Sequence, residues 1–347
     1  MEHIAIDLGG RESQVCVRDA TGQVVGEQRL PTARLGWFLR KRAPGRVVIE
    51  TCAEAFSVAD AALESGHEVR VVPATLVRTL GVGSRGVKTD QRDARILSEV
   101  STRIDLPSVH VPSQVARQRK ALCSSREALV TSRTKLINHC RGWQRTQGQR
   151  IRTGDTSTFV ERITNSELKI PEHVRCVLRV IDELSTQVRA LDAELLELVK
   201  ADETCKRLMT VPGVGPVTAM RFVAAIDDVT RFGSSHAVQS YLGLVPGEHS
   251  SGDSKHRTSL TKAGNAQVRW ALTQAAWSAW IHRKSDPMVL WARRIAERRG
   301  KHVAVVALAR KLAGILYAIW RHGTRYDPSL GAQRIDADGV VHGPQTP

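Results

Sequence analysis

Two short apolar runs in the first fifty residues each end in a carboxylate: Ile4-Ala5-Ile6-Asp7 and Val47-Val48-Ile49-Glu50. A run of this length and β-branched content reads as a strand buried on both faces. An acid at its last position puts charge at the sheet's end, outside the core. Gln14-Val15-Cys16-Val17 and Val24-Val25 lie either side of a turn at Gly22 and predict an antiparallel meander with the first run. Residues 33–41 and 56–64 can be helical, and Val69-Arg70-Val71-Val72 supplies a further strand.

The order β-β-β-α-β-α-β-α over residues 1–105 is that of an α/β domain of RNase H-like fold. There the first and fourth strands are neighbours and a late helix lies across their ends. Lys88-Thr89-Asp90-Gln91-Arg92-Asp93-Ala94 opens such a helix, with Asp90 and Asp93 on one face at i and i+3. Four carboxylates, Asp7, Glu50, Asp90 and Asp93, are therefore expected to converge. They repel one another unless a cation sits among them, and an all-oxygen ligand set suits Mg²⁺ or Mn²⁺. Such ions serve phosphodiester displacement. Each acid alone has a plainer reading: a helix cap at Thr89 or Asp90 with Asp93 in the first turn, a strand-ending turn at Asp7-Leu8-Gly9-Gly10, or an ion pair of Glu50 with a nearby arginine. Their conjunction, in order and at strand ends, favours the metal site. Gly81-Val82-Gly83-Ser84-Arg85-Gly86 matches a dinucleotide fingerprint in form only, because it does not open the helix of a βαβ unit.

Charge narrows the partners. Lys and Arg number 51 against 35 Asp and Glu in 347 residues, a formal net charge of +16. Self-repulsion of this size is offset by a polyanion, nucleic acid first and anionic membrane second. No secretory signal is evident, and the apolar stretch 303–320 carries Arg310 and Lys311 at its middle, which suits a core helix better than a membrane span. Six cysteines without a C-x-x-C pair point to reduced thiols in a cytoplasm and not to zinc. Aromatics are 4% of residues, too few for a binder that stacks single-stranded bases.

Residues 106–205 predict a basic helix and a coiled coil. In 111–145, Val115, Leu122, Leu129, Leu136 and Trp143 recur every seven residues, while Arg117, Arg119, Lys120, Arg126 and Arg133 occupy other positions with only Glu127 opposing them. One side can pack while another meets phosphates. Beyond Pro171, Val174, Val177, Ile181, Leu184, Val188, Leu191, Leu195 and Leu198 form a heptad seam that closes either a hairpin with the basic helix or a junction between two chains. Residues 206–326 read as a mostly helical C-terminal domain with a loop at 243–264, and 327–347 as a disordered tail. Val211-Pro212-Gly213-Val214-Gly215-Pro216 resembles a helix-hairpin-helix turn, or is simply a tight interhelical turn. In the loop, Ser250 and Ser251 lie among Lys255, Arg257, Lys262, Asn265 and Arg269. A serine so surrounded is placed to attack phosphate, though no base is assigned by spacing.

Asp7, the Ile49-Glu50-Thr51 strand end, Lys88-Thr89-Asp90-x-x-Asp93-Ala94, the Pro-Gly-Val-Gly turn, Leu242-Gly243-Leu244-Val245-Pro246 running into Ser250-Ser251-Gly252, and Lys262-Ala263-Gly264-Asn265 occur in this order along nearly the whole chain. Together they resemble the insertion-sequence one-ten family of transposases, which includes the Piv-type DNA invertases. The resemblance implies a RuvC-like N-terminal domain, a coiled-coil insertion and a C-terminal transposase domain. It implies that Asp7, Glu50, Asp90 and Asp93 form a metal-binding tetrad and that Ser251 is the nucleophile. It further implies a recombinase acting on DNA, at element ends and target, with a structured guide RNA from the same element, while the heptad seam adds the expectation of a homo-oligomer, dimer or tetramer. Lys88, Arg117, Arg119, Lys120, Arg126, Arg133, Lys255, Arg257, Lys262, Asn265 and Arg269 are the expected nucleic-acid contacts. The rival readings are a RuvC-like junction nuclease that uses water, and a nucleic-acid-binding protein without catalysis.

Overall fold

The structure is a computed structural model that describes residues 1–79, 89–167, 169–251 and 254–331. The chain divides into two compact units, residues 1–112 and residues 113 onward.

The first unit is built on a five-stranded sheet of β1 (His3–Asp7), β2 (Glu12–Arg18), β3 (Val24–Pro31), β4 (Arg46–Glu50) and β5 (Glu68–Val72), in the order β3-β2-β1-β4-β5. The meander β1-β2-β3 is antiparallel, whereas β1, β4 and β5 run parallel. Successive strand residues point to opposite faces. Ile4, Ile6, Val47 and Ile49 thus pack on Leu35, Phe38 and Leu39 of α1 (Leu35–Arg40) and on Val58, Ala59 and Ala62 of α2 (Ala55–Glu64). Ala5, Val48 and Val72 pack on the other face with Val77 of α3 (Ala74–Thr79) and Leu97 of α4 (Asp90–Arg103). At one end of the sheet the buried His67 ring accepts a hydrogen bond from Gly45 N–H on Nδ1 and donates from Nε2 to the Leu39 carbonyl, both 3.0 Å.

The second unit opens with α5 (Gln114–Thr146), continues through α6 (Phe159–Thr164), and returns along α7 (Glu172–Ala201). The seam is partly as expected. On α7, Val174, Ile181, Val188 and Leu195 are buried, but the interleaved Val177, Leu184 and Leu191 are half-buried and Leu198 is exposed. On α5 Ala116, Cys123, Ile137 and Gln144 are buried, one residue on from the heptad of Val115, which is 55% exposed, and Cys140 is buried beside them. Small side chains let the two backbones approach, and the larger Leu122, Leu136 and Trp143 pack at the flank. The middle of the hairpin is polar: Arg126 pairs with Asp192, and Arg133 donates to the buried Ser185 hydroxyl at 3.4 Å and to Thr156 at 3.3 Å.

The rest of the unit comprises α8 (Glu203–Leu208), α9 (Pro216–Ile226), α10 (Ser235–Tyr241), β6 (Pro246–Ser251), β7 (Ser254–Leu260), α11 (Ala266–His282), α12 (Pro287–Arg299), α13 (Lys301–His322) and α14 (Pro328–Gly331). The loop expected at 243–264 is thus largely a two-stranded antiparallel hairpin. The tail begins with the short helix α14. Helix α13 is apolar and long enough to cross a membrane by length and composition, yet Leu308, Ala309, Leu312, Ala313 and Leu316 are buried in the core shared with α9 and α11. Gly213 takes φ 83°, and a Cβ there would stand 2.2 Å from the Ala275 carbonyl oxygen. Packing on α11 therefore explains this glycine without a ligand, although the turn also lines a cleft of about 820 Å³ with Arg283 and Tyr326.

One ion pair ties the hairpin to this core. Arg221 of α9, 3% exposed, donates to Glu127 at 2.8 Å, to the Gln267 carbonyl at 3.3 Å, and lies 5.7 Å from the Trp270 ring centre. Glu127→Ala leaves the guanidinium buried without its counter-ion. The expected cost is about 3 kcal/mol, read as a lower denaturation midpoint at unchanged slope. Glu127→Gln, which keeps a hydrogen-bond acceptor, should lose less.

Candidate active site

Asp7 and Glu50 are the last residues of β1 and β4. The two strands pair in parallel through Ile6 and Ile49, so the next residue of each is the acid, and the carboxylates end neighbouring strands. By alternation both share the face of Ala5 and Val48, the face that α4 covers. Both are half-buried.

Helix α4 brings its N-terminus to the same end. His3 Nδ1 lies 2.8 Å from the Ser101 hydroxyl, which pins the C-terminal turn of α4 to the start of β1. From that bond, eight residues back along the helix are about 12 Å, and four residues forward along β1 are about 13 Å. Asp93 and Asp7 therefore stand at the same level. Asp93 is only 6% exposed, whereas Asp90 is exposed one turn nearer the helix start. Thr89 supplies the cap, its hydroxyl accepting from Arg92 N–H at 3.3 Å. Capping therefore does not account for Asp93, since an acid serving only the helix dipole has no need of burial.

A second anchor sets how α4 lies on the meander. Arg95 Nε and Nη2 both donate to the Glu27 carboxylate of β3, and Gln91 Nε2 joins them at 3.1 Å. Hydrogen bonding from Arg95 is the main cause that holds the Glu27 carboxyl at about 2, below its ordinary 4.5. A depressed carboxylate contributes stability above its unfolded value and loses it as pH falls through the folded one. Between pH 4.5 and about 2 the α4 anchor should therefore weaken. Hydrogen exchange of α4 amides should rise over that window in the wild type, and Glu27→Gln should show the raised exchange already at pH 7.

Among the described residues, no group of three or more His, Cys, Asp and Glu side chains is close enough together to hold a metal ion. What converges is two strand ends and a helix terminus. Donor chemistry fits a hard divalent cation, because all four side chains offer carboxylate oxygens. Lys88 lies outside the described residues.

In the second unit the β6–β7 register pairs Ser250 with Lys255 and Ser251 with Ser254, so Ser251 closes β6 at the tip of the hairpin. The side chains of Ser251, Lys255 and Arg257 lie outside the described residues. The base of the hairpin is clamped. Gly243 takes φ 67°, where a Cβ would stand 2.7 Å from Ala263 N, and a Cβ on Gly264 would stand 2.1 Å from the Tyr241 carbonyl oxygen. Arg269 Nη1 donates to the carbonyls of Gly264 and Leu242, and Lys262 takes φ 54° as its N–H bonds Gly243. Asn265 caps α11 through Oδ1, accepting from Gln267 and Val268 N–H. Asn265 and Arg269, expected at nucleic acid, thus hold the hairpin's base. On α5, Arg119 pairs with Asp202 at 2.6 Å, and Arg126 and Arg133 also turn to partners in their own unit. Lys120 is exposed and Arg117 half-buried.

Comparison with known proteins agrees with these two regions. Residues 4–143 match the IS110-type DEDD transposase family, and residues 205–289 match the family described as "Transposase IS116/IS110/IS902 family". The transposase for insertion sequence element IS1111A of Coxiella burnetii is 29% identical, over 91% of this chain and 88% of that protein. A probable family 20 transposase of Pseudomonas aeruginosa is also 29% identical, over 94% of this chain and 99% of its own length. The IS1328 transposase of Yersinia enterocolitica is 27% identical over 92% and 97%. With both family regions present in order and relatives spanning nearly its whole length, the chain carries transposase domains of the IS110/IS116/IS902 family.

Proposed function

We propose that the chain is an RNA-guided DNA transposase or site-specific recombinase, in which carboxylates of an RNase H-like, RuvC-like domain and Ser251 of the C-terminal domain act on one phosphodiester. The observation that carries this reading is the end-to-end placement of Asp7 and Glu50 on neighbouring parallel strands, at the level of the buried Asp93.

Asp7, Glu50, Asp90 and Asp93 would hold the divalent cation, Mg²⁺ or Mn²⁺. Bound there, it supplies a positive charge that activates the attacking oxygen and steadies the leaving one. Ser251 contributes the hydroxyl. Its Oγ forms a bond to phosphorus as one P–O bond of the DNA breaks, and the hydroxyl proton ends on the departing DNA oxygen. Attack of another strand's hydroxyl on the Oγ–P ester then rejoins DNA and regenerates the serine, with no high-energy cofactor. Lys255, Arg257 and Lys262 flank Ser251 in sequence and hold the phosphate during the exchange.

The partners follow from charge and from the seam. A net charge of +16 suits both DNA and a structured RNA from the same element. Half-covered Val177, Leu184 and Leu191 with exposed Leu198 leave one line of the α7 heptad for a second copy of the chain. Metal removal tests the central step. Cleavage of DNA carrying the element's own ends should stop on adding chelator and return with Mg²⁺ or Mn²⁺, and cleavage indifferent to chelator would remove the carboxylates from the mechanism.

A further inference from the structure

Helices α12 and α13 meet at one corner of the second unit, and Gly300 alone joins them, at φ 83° and ψ 158°. An L side chain adopts that φ only under strain. The joint gathers Arg294, Arg298 and Arg299 from the last turns of α12 with Lys301 and His302 from the first turn of α13, all exposed. Glu297 is the one acid between residues 293 and 302.

Helix dipoles account for two of these five. Arg298 and Arg299 sit in the last turn of α12, where cations are favoured, but Lys301 and His302 occupy the first turn of α13, where they are not. Some other arginines of the unit do meet acids of this chain, as Arg119 meets Asp202 and Arg221 meets Glu127. Among the described residues, Arg294, Arg298 and Arg299 have no hydrogen-bond or ion-pair partner in this chain. Four cations and a histidine against one acid at a single corner are mutually repulsive until an anion meets them.

The ground beneath the corner is aromatic yet already in use. Lys301 Nζ stands 4.8 Å from the Trp277 ring centre, the His302 ring lies edge-on to Trp277 at 5.8 Å, and Arg293 Cζ stands 5.0 Å from Trp280. These indoles hold the cations in place and do not serve as platforms for bases. Recognition here is by charge along a backbone, which suits a paired strand more than an unstacked one.

We propose that the α12–α13 corner docks the phosphodiester backbone of duplex DNA, outside the catalytic carboxylates and the β6–β7 hairpin. It rests on the reading of this chain as a DNA-acting enzyme and adds to it a surface that positions the duplex.

The test is fluorescence anisotropy of the full chain with a labelled duplex of arbitrary sequence, across a salt series. Arg298→Gln/Arg299→Gln should weaken binding roughly ten- to a hundredfold near 0.1 M salt and flatten the log Kd against log salt slope by about 1.8, since each phosphate left without its arginine removes about 0.9. Both side chains are exposed, and an unchanged thermal midpoint confirms the fold. Arg175→Gln/Arg179→Gln on α7 removes the same charge and should keep the wild-type slope. The proposal is overturned by a wild-type Kd and slope in the corner variant, or by equal losses in both variants, which would report net charge and not a surface. Loss confined to a structured RNA hairpin, with duplex DNA binding intact, would also overturn it by assigning the corner to RNA. A wild-type chain with no affinity for duplex DNA would fail the parent reading itself, a result distinct from these.

Discussion

Asp7→Asn should lower DNA strand cleavage by roughly three orders of magnitude, about 4 kcal/mol of transition-state stabilisation, while the protein stays folded. The asparagine is isosteric and half-buried at a strand end, so the pairing of β1 with β2 and β4 needs no adjustment. On the proposed metal site, what is lost is one anionic ligand. A neutral amide oxygen holds a hard divalent cation far less tightly than a carboxylate does, and the neighbouring acids are left to repel around a weaker charge. Glu50→Gln should behave alike. Asp90→Asn, on an exposed residue, should lose less and recover in part at high Mn²⁺ concentration. Steady-state cleavage with a thermal melt of each variant separates this outcome from unfolding.

The acids were legible because they terminate buried strands. Ile4-Ala5-Ile6 and Val47-Val48-Ile49 admit one register that keeps both faces dry, and that register brings Asp7 beside Glu50. The burial of Asp93 was not legible, because it depends on how α4 crosses the sheet, and that crossing is set by His3–Ser101 and Glu27–Arg95, contacts distant in sequence. β3 extends to Pro31 with mostly exposed residues, so apolar patterning shows only its Val24-Val25 start. The same holds for β6 and β7, whose Gly, Ser and charged residues read as a loop. Backbone pairing and the Gly243–Gly264 clamp at the base hold them.

On α5 the heptad of large residues drew attention from Ala116 and Cys123, where small side chains let the helices close. Two anomalies did carry a usable signal. Glu127 is a lone acid in a basic helix and Arg221 a lone charge in the apolar run 217–226, and the structure pairs them. The arginines of α5 show the limit of counting charge. Arg119 and Arg126 satisfy acids of α7 and the residue following it, whereas the cations around Gly300 lie together in residues 293–302, at the turn between two helices.

The most direct measurement of the central claim is capture of a covalent protein–DNA intermediate. Incubated with Mg²⁺, RNA from its element and a labelled duplex bearing the element's ends, wild-type protein should retain label through denaturing electrophoresis. The Oγ–P ester withstands denaturation, whereas a water nucleophile leaves free DNA ends and no linkage. Ser251→Ala should abolish the adduct and keep DNA and RNA binding, since one oxygen is removed from the tip of a hairpin clamped at its base. Ser250→Ala should leave most of it, and Asp7→Asn should reduce it with cleavage. Efficient cleavage by wild-type protein with no adduct, or an adduct of normal yield in Ser251→Ala, would contradict the account.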